Sequence, residues 1–253
     1  MPNHHTNRPR RRPRTLIALA PALLAATLPI TLASCGTTTT EDVTTKPAAQ
    51  ILAAATNAAH HANSVQITSK INEGKLHSSM RLQIVGTEGG SAQTSRGSRS
   101  SETIRVGGTV YRKVGPVLAR QIAQATGAHV PVGSWVKAPA SNAQIATSSF
   151  LTEPDGELLF LLRIPALSLT KGAITTVNGQ KAIELKTKGK LYTGEIYIAA
   201  TGTPYPIEIV KQPSGKGIET SHTTFTNWNR PIRLSLPPAN AIDLSQLQQR
   251  KAG

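Results

Sequence analysis

The chain has 253 residues, with 28 lysines and arginines against 13 acids, a formal net charge of +15 and a single cysteine. One cysteine excludes an internal disulfide. The basic charge is spread thinly, and neither a nucleic-acid recognition motif nor an aromatic RNA-binding signature accompanies it, so nucleic acid is a poor candidate for a partner.

The first 34 residues have the layout of an export signal. Five arginines and no acid lie within residues 1–14, and an uncharged, mostly apolar run follows over residues 15–32. A basic start, an apolar stretch and small residues before a cut site define a secretory signal. Two prolines interrupt the run, which is also short for a membrane span, so we expect a removable signal rather than a permanent anchor.

The signal ends in Leu32-Ala33-Ser34-Cys35, which resembles the lipobox of bacterial lipoproteins. The resemblance implies that the Cys35 thiol is joined to a diacylglycerol and that the signal is cut immediately before it. The alternative is a plain secretory signal followed by an unrelated cysteine. We therefore expect a protein that a lipid anchors to the extracytoplasmic side of the cell membrane, by an export route that the sequence leaves open.

Removal of the first 34 of the 253 residues leaves 219, a length that suits one domain. Without the five arginines of the signal, 23 basic residues stand against 13 acids, a net charge of +10. Such a protein is attracted to anionic lipid headgroups or acidic wall polymers, although solubility alone explains the charge equally well. Residues 35–47 are rich in threonine and lack apolar periodicity, so we expect a flexible, lipidated tether there.

Three segments have the pattern of helices. Residues 48–62 are rich in alanine, with apolar residues at helical spacing. Residues 116–126 begin with a proline and are followed by Gly127, a typical helix end. Residues 155–162 are mostly apolar and need a wide hydrophobic surface to cover them.

The other regular segments alternate apolar and polar residues with a period of two, which is typical of antiparallel strands. Asn178-Gly179 is the strongest hairpin turn signal among them. We expect strands near residues 64–71, 76–84, 89–95, 103–106, 109–114, 135–137, 172–177, 181–186, 194–199, 205–211 and 218–225.

About ten strands in neighbouring antiparallel order must curl or close. Residues 48–240 are therefore predicted to form an α+β domain, in which a strongly curved antiparallel half-barrel sheet is wrapped around a few helices. Residues 241–253 are predicted to be a polar C-terminal tail.

Five stretches carry a resemblance to a known family: residues 107–114, 133–137, 177–185, 196–207 and 225–232. In pattern and spacing they resemble the LolA-like lipoproteins, in particular the LppX/LprG-type lipid-carrying lipoproteins of mycobacteria and related actinobacteria. The resemblance implies a half-barrel closed by helices and a cavity that holds the acyl chains of a lipid or lipoglycan. No ligand-binding residue carries over from the family, because the family's cavity is defined by its shape rather than by particular residues.

A cavity for acyl chains needs apolar side chains from one face of each strand and from the helices. The alternative is a close-packed core that leaves no hole, which is the usual state of protein interiors. The candidate lining residues are Ile67, Met80, Leu82, Val110, Leu158, Leu159, Leu162, Ile183, Ile196 and Ile198.

No motif points to an enzyme, a cofactor or a metal ion. The nucleophile elbow, the zinc-protease motif, the phosphate loop and the dinucleotide fingerprint are all missing. The acids Glu153, Asp155 and Glu157 lie just before and in the first turn of the predicted helix at 155–162, where the helix dipole favours them.

We therefore expect a non-enzymatic envelope lipoprotein that binds a lipid or lipoglycan in an apolar cavity and holds or transfers it across the envelope. The alternative is an envelope scaffold that binds a protein partner or wall polymer without lipid. A hydrolase would need clustered carboxylates or a Ser–His pair in a groove.

Overall fold

The computed structural model describes residues 42–86, 89–142, 169–189, 192–213, 220–235 and 239–252. These residues contain a 3-10 turn at Val43–Thr45, three helices and twelve strands. The helices are α1 Ala48–His60, α2 Pro116–Thr126 and α3 Leu244–Ala252. The strands are β1 Ser64–Glu73, β2 Leu76–Val85, β3 Gly89–Arg96, β4 Arg99–Val106, β5 Thr109–Lys113, β6 Trp135–Pro139, β7 Leu169–Val177, β8 Gln180–Lys188, β9 Tyr192–Ala199, β10 Pro206–Pro213, β11 Thr220–Thr226 and β12 Ile242–Asp243.

All twelve strands form one sheet, in the order β12-β6-β5-β4-β3-β2-β1-β11-β10-β9-β8-β7. Two antiparallel meanders, β1 to β6 and β7 to β11, make up most of it. The antiparallel pair of β1 with β11 joins the meanders, and β12 adds the one parallel pair of the described sheet, with β6. The predicted α+β class with a large antiparallel sheet and a few helices is confirmed, with twelve strands rather than about ten.

Local turn chemistry fixes several connections. Asn178 and Gly179 both have positive φ, of 50° and 79°, which the two-residue turn between β7 and β8 requires. Helix α2 begins with Pro116 at its first turn and ends at Gly127, whose φ of 73° lies in the left-handed region. These are the features from which the sequence predicted the two elements.

Both ends of the domain differ from the prediction. In place of a polar tail, Ile242–Asp243 pairs with β6 and α3 follows, with Leu244 fully buried. At the other end, residues 42–47 are predicted to belong to the flexible tether, yet Val43 is buried and Asp42 accepts hydrogen bonds from the Thr44 amide and hydroxyl. The predicted helix at 155–162 lies outside the described residues. None of the three described helices has the length and apolar character to cross a membrane.

Candidate functional site

The helices pack on one face of the sheet, which we call the helix-covered face. Directly opposed residues of neighbouring strands share a face, so the register identifies the residues that line it. Ile67 of β1 lies opposite Leu82 of β2 and Phe225 of β11, and all three are buried in one cluster with α1. The face continues through the opposed pair Ile183 and Ile198 on β8 and β9. A continuous apolar floor therefore lies beneath α1.

Helix α1 covers this floor with a stripe of small and aliphatic side chains. Ile51 and Ala55 are fully buried, and Leu52 and Ala59 nearly so. Their spacing places them on one side of the helix, and the two alanines let the helix backbone approach the sheet closely. With buried side chains of β1–β3 and β8–β11 they form the first core cluster.

Most of the predicted lining residues come together in this first cluster. Ile67, Leu82, Ile183, Ile196 and Ile198 are buried in it, and the half-buried Met80 packs against it. Val110 belongs to a different cluster. The others, Leu158, Leu159 and Leu162, lie outside the described residues. Whether the residues line a cavity stays a prediction.

The second core cluster lies under α2 and α3. Leu118 and Ile122 of α2 and Leu244 of α3 pack there with Val110 of β5 and Val136 of β6. Val110 lies opposite Arg105 of β4, and Arg105 lies opposite Gly90 of β3. Gly90 in turn lies opposite Ile84 of the first cluster, so the two clusters lie on the same face of the sheet.

A polar strip separates the two clusters. Among the described residues, β4 contributes to neither of them. Thr103 of β4 is only 2% exposed and lies opposite Ala92 of the first cluster and Arg112 of β5. Arg112 is half-buried, and burial lowers the pKa of its guanidinium from the usual value. We call Thr103 and Arg112 the polar strip, which the sequence analysis missed because it depends on the β3–β4–β5 register.

Two buried hydroxyls lie within the apolar floor. Ser69 of β1 and Thr223 of β11 are opposed, each 3% exposed, and their hydroxyl oxygens are 3.0 Å apart. The alternation of β1 places Ser69 on the same face as Ile67, so its burial could have been predicted. Its partner, 154 residues away, could not.

An aromatic stack closes one end of the first cluster. The ring of Trp228 lies on that of Tyr205, with centroids 4.6 Å apart and planes 8° from parallel, and Phe225 follows at 6.0 Å. The Trp228 indole donates to the Pro206 carbonyl at 2.9 Å. The Tyr205 hydroxyl accepts from the Asn229 side-chain amide at 2.6 Å, so both rings are also held by hydrogen bonds.

The opposite face carries a cluster of carboxylates that the sequence analysis also missed. Tyr197 of β9 lies opposite Glu184 of β8 and Glu208 of β10, and its hydroxyl donates to Glu195 at 2.8 Å. Burial raises the pKa of Tyr197, and the hydrogen bond to Glu195 and the three negative charges raise it further. Glu208 is also 3.0 Å from the His222 imidazole. Tyr197 therefore pairs with Glu195, and Glu208 with His222.

A groove of about 510 Å³ lies at the ends of β1, β10 and β11. Its lining contains none of the predicted cavity residues. In the part of the chain that the structure describes, no three His, Cys, Asp or Glu residues come close enough to hold a metal ion. The groove is lined by Lys70, Asn72, Val210, Lys211, Gln212, Pro213, Thr220, Ser221 and His222.

Comparison by sequence matches no protein-family model and no curated protein. Comparison of structures gives a different result. LprF from Mycobacterium bovis superposes with a TM-score of 0.50 at 14% sequence identity, over 76% of this chain and 99% of LprF. The chain has the fold of LprF. The predicted resemblance to the LppX/LprG-type lipoproteins, with their LolA-like half-barrel, is thereby confirmed at the level of fold.

Two other structures are similar to a lesser degree. Lipoprotein LppX of Mycobacterium tuberculosis gives a TM-score of 0.48 at 9% identity, over 74% of this chain and 97% of LppX. A LolA-superfamily protein from Nitrosomonas europaea gives 0.28 at 10% identity, over 75% of this chain and 95% of its own. Like LprF, both are matched over nearly their whole length.

Proposed function

We propose that this protein is an envelope lipoprotein, anchored through Cys35, that binds a lipid or lipoglycan on the helix-covered face and holds or transfers it. The observation that carries the proposal is the division of the core into two apolar clusters on one continuous sheet face. A domain of this size usually builds one contiguous core. In this proposal the ligand lies over β4, with one apolar cluster on each side of it.

The hydrophobic effect supplies the affinity in this proposal. Met80, half-buried against the first cluster, and Leu247, half-buried against the second, offer apolar surface on either side of β4. Each buried methylene contributes about 0.8 kcal/mol. About ten methylenes would therefore contribute about 8 kcal/mol before the cost of ordering the acyl chain.

The polar strip would select the head of the ligand. A guanidinium such as that of Arg112 matches phosphate and carboxylate oxygens in geometry and is weakly hydrated, so it tolerates a partly buried position. An amphiphile with acyl chains and an anionic or hydroxyl-rich head is the ligand class that this combination favours.

Native mass spectrometry of the protein purified from its own host tests lipid binding. We expect the parent to carry a lipid, and Thr103→Phe to lose it, because the proposal places the ligand over β4, where the added phenyl ring would lie. Gln93→Phe is the matched control, since Gln93 is exposed on neighbouring β3 and faces the other way. A parent that is repeatedly free of lipid would refute the lipid-binding part and favour the scaffold alternative.

Cys35→Ser tests the anchor. We expect this variant to stay unprocessed and unacylated, whereas Ser34→Ala, which keeps a small residue before the cut site, should mature normally. Labelling with a radioactive fatty acid and measurement of the mature mass distinguish the two. Normal processing and equally firm membrane attachment of Cys35→Ser would show that the cysteine is not the anchor.

A further inference from the structure

The helix-covered face changes its chemistry from one row of residues to the next. Residues that lie directly opposite one another across neighbouring strands form a row on one face, and the next row on that face is two residues, or about 7 Å, further along each strand. One such row, which we call the apolar row, is entirely buried. It consists of Phe225 of β11, Ile67 of β1, Leu82 of β2 and Ala92 of β3.

The next row carries hydroxyls on four of five neighbouring strands. Ser69 of β1 lies opposite Thr223 of β11 on one side and Met80 of β2 on the other. Met80 lies opposite Thr94 of β3, which in turn lies opposite Ser101 of β4. We call Thr223, Ser69, Thr94 and Ser101 the hydroxyl row. It offers neutral hydrogen-bonding groups beside an apolar surface.

The hydroxyl row adjoins the polar strip and is more accessible at that end. Ser101 and Thr103 are two residues apart on β4 and therefore share a face. Thr94 and Ser101 are half-buried, whereas Ser69 and Thr223 are each 3% exposed. A ligand whose head lies on the polar strip can therefore place the atoms next to its head against Thr94 and Ser101 without first opening the buried end of the row.

The buried end of the hydroxyl row keeps one donor unused. Two hydroxyls have two protons, and the 3.0 Å hydrogen bond between Ser69 and Thr223 uses one of them. Within the described residues, neither hydroxyl makes another hydrogen bond. Their neighbours on this face include Ile67, Phe225 and Ile209, which offer no acceptor there. An acceptor group of a ligand would satisfy this donor, and a buried donor without an acceptor is destabilising.

These features favour a neutral acceptor that is joined directly to hydrocarbon. Phosphate and carboxylate oxygens would favour a cation, which the hydroxyl row lacks. The hydroxyls of a sugar donate as well as accept, and they are not bonded to an apolar chain. The carbonyl of an acyl ester accepts hydrogen bonds, donates none and is bonded to the first methylene of the chain. With that carbonyl on the hydroxyl row, the chain would extend over the apolar row about 7 Å away.

We propose that the hydroxyl row is the subsite for the ester carbonyls of an acyl-ester lipid whose chains lie over the apolar row. The inference rests on the proposed function, because it refines which lipid the helix-covered face binds. Thr94 and Ser101 donate to the carbonyl nearer the polar strip, and the unused donor of the Ser69–Thr223 pair serves a carbonyl that reaches the buried end.

Two lipids that differ only in their carbonyls test the inference. Dipalmitoyl phosphatidylcholine has two ester carbonyls, and dihexadecyl phosphatidylcholine has the same head and chain length but ether links. The full-length protein is freed of bound lipid and mixed with equal amounts of the two lipids in detergent. Native mass spectrometry then gives the ratio of the two complexes. We expect the parent to favour the ester lipid about 2- to 10-fold, which is the effect of one hydrogen bond.

Paired substitutions connect this preference to the hydroxyl row. Thr94→Val combined with Ser101→Ala should bring the ratio close to one while total binding is kept, because the shape of the site changes little. Ser69→Ala combined with Thr223→Val should also lower the ratio, and it removes both members of the pair, so no hydroxyl is left buried without a partner. Urea unfolding shows that each variant is folded.

Ser79→Ala combined with Ser95→Ala is the matched control. These two hydroxyls are also paired across β2 and β3, at 2.8 Å, but lie on the opposite face, so the ratio should not change. A parent that binds both lipids equally, or a preference that persists in both hydroxyl-row variants, overturns the inference and leaves the proposed function standing. A parent that binds neither lipid contradicts the proposed function itself.

Discussion

The hydroxyl pair of Ser69 and Thr223 provides a measurement of how dry the centre of the helix-covered face is. Both residues are 3% exposed, and their oxygens are 3.0 Å apart. Ser69→Ala removes one partner and leaves the Thr223 hydroxyl buried without it, at a cost of about 1–3 kcal/mol in the free energy of unfolding. The folding equilibrium constant should fall about 5- to 150-fold. Adding Thr223→Val removes the stranded hydroxyl and should restore most of the loss.

Urea unfolding followed by circular dichroism gives the free energies, provided that the dependence on urea is unchanged. Ser79→Ala is the matched control, because the Ser79 and Ser95 hydroxyls are also paired across two strands, at 2.8 Å, but are exposed. It should change the free energy of unfolding by less than about 0.5 kcal/mol. If Ser69→Ala costs no more than Ser79→Ala, water reaches the floor, and the assumption of a dry floor is wrong.

Three other substitutions test separate parts of the structure. The pKa of Tyr197 is raised above its ordinary value of 10.0 in the folded state, so above about pH 10 the unfolded chain ionises more readily and the free energy of unfolding falls. Tyr197→Phe should reduce that fall in alkaline unfolding experiments. An unchanged fall would contradict the raised pKa of Tyr197. Gly89→Ala should lower the free energy of unfolding by about 3 kcal/mol, since the φ of Gly89 is +155° and a Cβ there would collide with a carbonyl of β4. Gly74→Ala should lower it by about 1 kcal/mol, because Gly74 has a φ of +59° but open space around it. Equal melting temperatures of the two variants would exclude the close approach of Gly89 to β4. Trp228→Ala should lower the free energy of unfolding by about 3 kcal/mol in thermal unfolding experiments. Trp228→Phe should lower it clearly less, because it keeps a ring against Tyr205. Similar losses for the two variants would mean that stacking contributes little.

Features that depend on neighbouring residues could be predicted from the sequence. The hairpin of β1 and β2 follows from two alternating segments joined by a short turn, and the β7–β8 turn follows from Asn178-Gly179. The number of strands and their antiparallel order then favour a curved sheet, because flat sheets of that size are disfavoured. The fold class could therefore be predicted from the sequence.

Features that depend on distant residues could not be predicted in the same way. The β1–β11 pair joins the two meanders, and the register of this pair places Ser69 opposite Thr223. Helix α3 has too few apolar residues to be recognised, yet Leu244 is fully buried because α2 and β6 provide a surface for it. The polar strip and the carboxylates around Tyr197 likewise arise from strands that the sequence cannot align to the exact residue.

The strand order also links the proposed anchor to the proposed ligand site. Helix α1 directly follows residues 42–47, where the Thr44 and Lys46 carbonyls accept from the Lys171 ammonium of β7. The cluster beneath α1 takes side chains from both meanders, β1–β3 and β8–β11. The residues that connect the domain to Cys35 therefore continue into the helix that covers the apolar floor. Under the proposed function, residues 42–60 would serve both the connection to the anchor and the cover of the apolar floor.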